Sequence, residues 1–124
     1  MSKFVDKLGR EWTFTVDVAA MRRAKKAGVD LSMPVKQLQE FVMDDVFMVD
    51  ALWAVVSPDA ESKAVTLEQF EKGLDGKVLE VAQEALWEAL CEYYPDPKAQ
   101  MLRAALASVK TEMAKVATSL TSNG

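Results

Sequence analysis

The stretch KFVDKLGREWTFTV, residues 3–16, decides the fold class, because it alone reads as β structure while everything after it reads as helix. Trp12, Phe14 and Val16 fall on one face, with Glu11, Thr13, Thr15 and Asp17 on the other, the alternation of a half-buried strand. Phe4, with Val5 beside it, supplies the facing strand, and Gly9 in the DKLG turn tolerates a positive φ. A lone two-stranded ribbon is marginal in water, so the aromatic face carrying Trp12 and Phe14 must rest on something. Two supports are open: the helices of the same chain, or another subunit. A ribbon that projects from the helical body would also offer an unpaired edge to a neighbour's strand.

Outward from the ribbon the chain is punctuated helix. Asp17 reads as an N-cap of a helix reaching about Ala27, with Gly28 as its stop and the basic run RRAKK, 22–26, in its last turns. Ser32 and Pro34 open a second helix with Val35, Leu38, Phe41 and Val42 on one side, ending near Met43. Residues 44–56 are apolar nearly all round except Asp44, Asp45 and Asp50, which predicts a central helix packed on several sides. Ser57 and Pro58 should end it, leaving one short turn over 60–63. Thr66 and Gln69 have capping-box spacing for a short helix to Gly73. After Asp75 and Gly76 a long helix, 77–94, buries Val78, Leu79, Ala82, Leu86, Ala89, Leu90 and Tyr93. Pro95 stops it, and Asp96 with Pro97 caps the last helix, where Leu102, Leu106, Val109, Met113, Val116 and Leu120 form a seam in steps of four and three. That seam docks on its own domain or meets a partner.

These readings sum to a mainly α fold: an N-terminal β-hairpin followed by a compact bundle of about five to six helices, in a single domain over 1–124. Its expected parts are a hairpin over 1–16, a helical core over 17–95, a C-terminal helix over 96–120 and a frayed tail over 121–124. A chain of 124 residues buries roughly two thirds of its unfolded surface, so a true core is expected. Fifteen basic against nineteen acidic residues give a net charge of -4, which disfavours nucleic acid and anionic membranes as partners. The lone Cys91 fits a reducing cytoplasm, and no signal peptide or membrane-spanning run is visible.

The chemistry of the side chains argues against an enzyme. Without histidine there is no Ser-His-Asp or Cys-His system and no histidine zinc site. Cys91 lies beside the anionic Glu92, which raises a thiol pKa, so a buried core cysteine is the reading. Residues 59–70 superficially resemble a calcium loop, but Ala64 and Phe70 stand where glycine and a bidentate glutamate belong. Asp44 and Asp45 suit a helix start, whereas Asp50, midway through an apolar helix, suggests a buried pair with a lysine or arginine. No glycine-rich phosphate loop is present, and no cofactor is expected. Glu80, Glu84, Glu88 and Glu92 form an acidic ridge that a basic partner would relieve, as would Lys77, or Arg103 and Lys110 of the last helix folded beside it.

An opening phenylalanine, Gly9-Arg10 with Trp12, the GVDL segment 28–31, the Leu52-Trp53 pair, T.EQF...LDG over 66–76 and A.EAL.EAL..YYP over 82–95 together resemble small proteins from the tail gene clusters of long-tailed bacteriophages. Those proteins look like tail assembly chaperones. The resemblance spans about 4–95, rests on packing and turn residues, and implies a non-enzymatic helper in the host cytoplasm. It implies as partners the tape measure protein and the tail tube protein, and often a homo-oligomer. The candidate interaction residues are then Trp12 and Phe14 on the ribbon and Leu102, Leu106, Val109, Met113 and Val116 on the seam. The competing reading is a small phage regulatory or inhibitor protein that binds a host factor through the acidic face of Glu80, Glu84 and Glu88.

Overall fold

Phe4 faces Trp12 across an antiparallel ribbon in which β1, Ser2–Val5, pairs with β2, Glu11–Phe14, and Ser2 lies opposite Phe14. Gly9 makes the connecting turn at a φ of 83°, in the left-handed region that favours glycine. A computed structural model describes residues 2–41 and 43–122, with side chains for all of these but 41, 113, 114 and 116–122. Among the described residues six helices follow the ribbon: α1 Val18–Lys26, α2 Val35–Phe41, α3 Asp45–Ser62, α4 Leu67–Lys72, α5 Gly76–Tyr93 and α6 Lys98–Ser122. The chain is mainly α with an N-terminal hairpin, as its patterning indicates.

Short side chains set the helix ends. Asp17 accepts from the Ala20 amide, Asp44 from the amides of Val46 and Phe47, and Asp75 from Val78, while Thr66 and Gln69 close a reciprocal capping box. Gly28, at a φ of 86°, ends α1 in a Schellman motif, with Val29 N–H donating to the Ala24 carbonyl and Gly28 N–H to that of Lys25. The C-terminus of α3 repeats this pattern with a non-glycine residue, Ala64 at a φ of 56°.

The core forms where the ribbon spans two helices, β2 over α3 and β1 over α5. Trp12 meets Phe70 edge-on with ring centroids 5.0 Å apart, and Trp53 tilts against Phe70 at 5.4 Å. Beneath them α3 buries Met48, Ala51, Leu52, Val55 and Val56, and α5 buries Ala82, Leu86 and Leu90. On the other flank of α5, α6 docks through Leu102 and Ala105, held also by α2, whose Gln39 side chain donates to the Ala105 carbonyl.

Three local expectations are corrected. Pro58 does not end the central helix: α3 runs through it to Ser62. Proline has no N–H for the carbonyl four residues back, so Ala54 would lose its helical donor. Arg23 Nε from α1 supplies the missing bond to the Ala54 carbonyl at 2.7 Å. Tyr93, expected in the buried stripe of α5, is 37 % exposed, whereas Tyr94 packs on the core with its hydroxyl toward the Leu31 carbonyl. Asp50 has no lysine or arginine partner among the described residues and is only half-buried.

Candidate interaction surfaces

The ribbon is bolted inward. Asp6, at the start of the turn, is buried and accepts four bonds: Leu8 N–H at 2.9 Å and Arg10 N–H at 3.0 Å on Oδ1, Arg10 Nε at 2.8 Å and Trp12 Nε1 at 2.9 Å on Oδ2. Burial pushes this carboxyl up, but the donors of Trp12, Arg10 and Leu8 together outweigh it and hold it below the usual carboxylate range. Arg10 reaches on to the Gln69 carbonyl at 2.8 Å, and Lys7 N–H donates to the Gly73 carbonyl at 2.9 Å, which ties the turn to the end of α4. Gly73 is required by close approach, since a Cβ there would meet the Asp6 carboxylate and stand 2.7 Å from Arg10 Nη2. Asp6, Arg10 and Trp12 of the ribbon therefore meet Gln69, Phe70 and Gly73 in one structural knot.

Trp12 and Phe14 consequently face their own core and are not presented to a partner, a correction to their place among the candidate interaction residues. The outer edge of β2 is covered as well, because Thr13 N–H donates to Asp59 Oδ2 at 3.0 Å from α3. Burial raises the Asp59 carboxyl, yet its bonds from Lys63 and Thr13 prevail and lower it. Alternation then turns the backbone groups of Lys3, opposite Thr13, away from β2. This leaves β1 as the exposed edge, four residues long and carrying Lys3, a residue that discourages strand addition.

The seam of α6 divides along its length. Leu102 is fully buried, and its carbonyl accepts from Trp87 Nε1, so it belongs to the core and is likewise withdrawn from partners. Leu106 and Val109 are half-buried, packed against the margin of the core with Glu80, Gln83, Glu84 and Lys110 beside them. Met113 and Val116 continue the spacing, but their side chains lie outside the described residues. Glu80, Glu84 and Glu88 are all exposed, and Glu84 forms an ion pair with Lys110. The last helix thus folds back beside the acidic ridge and partly neutralises it.

Reactive chemistry is sparse. Among the described residues no group of three or more His, Cys, Asp or Glu could hold a metal ion. Cys91 is buried; burial pushes its thiol up, Arg103 draws it down, and Glu88 and Glu92 add to the rise, so the thiolate is disfavoured. Among the described residues no helix is long and apolar enough to cross a membrane.

One surface was not anticipated. The N-terminal half of α3, expected to be covered on several sides, leaves Val46 70 % exposed. Val46 and Val49 of α3, Leu74 and Leu79 form the apolar lining of an open groove of about 410 Å³ between α3, α4 and α5. Asp45, Asp50 and Glu71 stand on its rim, and none is in an ion pair among the described residues. The signal in the sequence was the coincidence of an all-round apolar helix with the unmatched Asp50. Neither a protein-family model, nor a curated protein, nor a solved structure matches this chain.

Proposed function

We propose that this protein is a non-enzymatic assembly chaperone of the kind found in the tail gene clusters of long-tailed bacteriophages. It acts in the host cytoplasm, holding the tape measure protein, and with it tail tube subunits, through helix flanks. The observation that carries this reading is the passage of the α6 seam from full burial to half-exposure between Leu102 and Val109. Leu102 and Ala105 are buried within the core, whereas Leu106 and Val109 pack on its margin and stay half-exposed beside Glu80, Gln83 and Glu84, an apolar flank that a client helix would cover favourably. The ribbon is dropped from the binding surface, since its aromatic face is used up in the core.

The exposed row of Glu80, Glu84 and Glu88 keeps a second reading in play, an inhibitor that binds a basic host factor. The pairing of Glu84 with Lys110 weakens it by spending one of the charges within the fold. Co-expression with the tape measure and tube proteins of the same tail cluster, followed by pull-down, separates the two. The chaperone reading expects Val109→Asp with Met113→Asp to abolish capture while Glu84→Lys with Glu88→Lys leaves it. The reverse pattern assigns binding to the acidic ridge, and no capture of either tail protein by the unaltered chain ends the chaperone reading.

A further inference from the structure

We propose that the groove between α3, α4 and α5 is a docking site for a basic amphipathic helix of a partner protein. The inference does not depend on the tail proteins as clients and uses none of the residues of the α6 seam. Two anomalies of α3 converge there. Apart from its aspartates the sequence over 44–56 is apolar nearly all round, which is stable only if most sides are covered, yet Val46 is exposed and Val49 only half-buried. Asp50, on the same side of the helix, is half-buried without a cation among the described residues. A half-buried carboxylate next to apolar surface is relieved by a lysine or arginine whose stem covers the hydrocarbon while its head reaches the oxygen atoms.

The shape and charge of the groove name the occupant. Val46, Val49 and Asp50 follow helical spacing along one wall, and Leu79 of α5 stands on the opposite wall, so ridges for a third helix are already present. Asp45, Asp50 and Glu71 give the rim three carboxylates and no cation, on a chain of net charge -4. An acidic or nucleic acid ligand is repelled by that rim, whereas a helix with a leucine stripe flanked by lysines satisfies both lining and rim. A second copy of this chain is the rival occupant, because the outer side of α1 exposes Val18, Arg22, Lys25 and Lys26.

The test uses the full chain, isotopically labelled, and a synthetic amphipathic helix of roughly 18 residues, five turns, with leucines in a stripe and lysines beside it. The same peptide with glutamates in place of lysines is the control. Titration should move the resonances of Val46, Val49, Leu74 and Leu79, and the glutamate peptide should bind at least about tenfold more weakly. Val46→Asp adds an acid in the first turn of a helix, where it is tolerated, and should weaken the lysine peptide by about tenfold or more. Asp50→Lys should weaken the lysine peptide and recover the glutamate one, a swap that a merely misfolded variant does not produce. Equal binding of both peptides, shifts centred on α6, or no binding at millimolar peptide would each overturn the proposal. So would concentration-dependent self-association that Val46→Asp abolishes, which would give the groove to a second copy.

Discussion

Asp6 holds four donors inside the turn of the ribbon, and its stability contribution depends on pH in a definite direction. Its folded pKa lies below the unfolded value, so its contribution is complete above about pH 4 and is lost as pH falls through the folded pKa. Asp6→Asn leaves Arg10 without its carboxylate and sets an amide against donors, at a cost of about 3 kcal/mol near neutral pH. Urea unfolding at neutral pH and near pH 3 measures both effects. The variant should lose less stability on acidification than the parent, with the remaining slope coming from Asp30 and Asp59, whose carboxyls are also held low. Equal acid sensitivity would remove Asp6 from this role. The alternation of Trp12 and Phe14 was legible in the sequence because period and chemistry are local. That a buried indole needs an acceptor is general, but its choice of Asp6 depends on how the turn folds back.

At the scale of the element, α3 shows why a local rule misjudged an end. Proline punctuates helices because one carbonyl loses its donor, and that loss is decisive only when nothing else supplies one. Arg23 supplies it from 31 residues earlier in the chain, a pairing that no window around Pro58 contains. Replacing Arg23 by methionine should cost about 1–2 kcal/mol, because the Ala54 carbonyl is then left without a donor. In a Pro58→Ala background the helix provides its own N–H, so the same replacement should cost distinctly less. A double-mutant cycle by chemical denaturation measures the coupling, and strictly additive effects would refute it. The stop of α3 hid for a related reason, since Ala64 performs in the left-handed region the task that Gly28 announces openly for α1. The capped starts at Asp17, Asp44 and Thr66 were readable because their donors and acceptors lie within one turn.

Across the whole molecule, the placement of the ribbon over both α3 and α5 determines which surfaces remain for partners. The helical seam and the acidic ridge could be read as stripes, but only packing reveals that Leu102 is consumed by the core and that a groove opens at Val46. Such competition between faces of one helix is a tertiary outcome, invisible to periodicity. The same placement makes the ribbon part of the global fold instead of a hinged arm. Lifting it would bare Trp12 and Phe70, worth roughly 8–12 kcal/mol of apolar burial, and would also break the Asp6 network. That is comparable with the 5–15 kcal/mol, or about that, which separates a folded domain from its unfolded state. Opening the ribbon alone should therefore be no easier than unfolding everything. Native-state hydrogen exchange should then find the Trp12 indole and the β1–β2 amides exchanging at the free energy of global unfolding, together with the amides around Leu86 and Leu90 of α5. Exchange in the ribbon faster by orders of magnitude than in α5 would show that it opens on its own, and Trp12 and Phe14 would return to the surfaces available for a client.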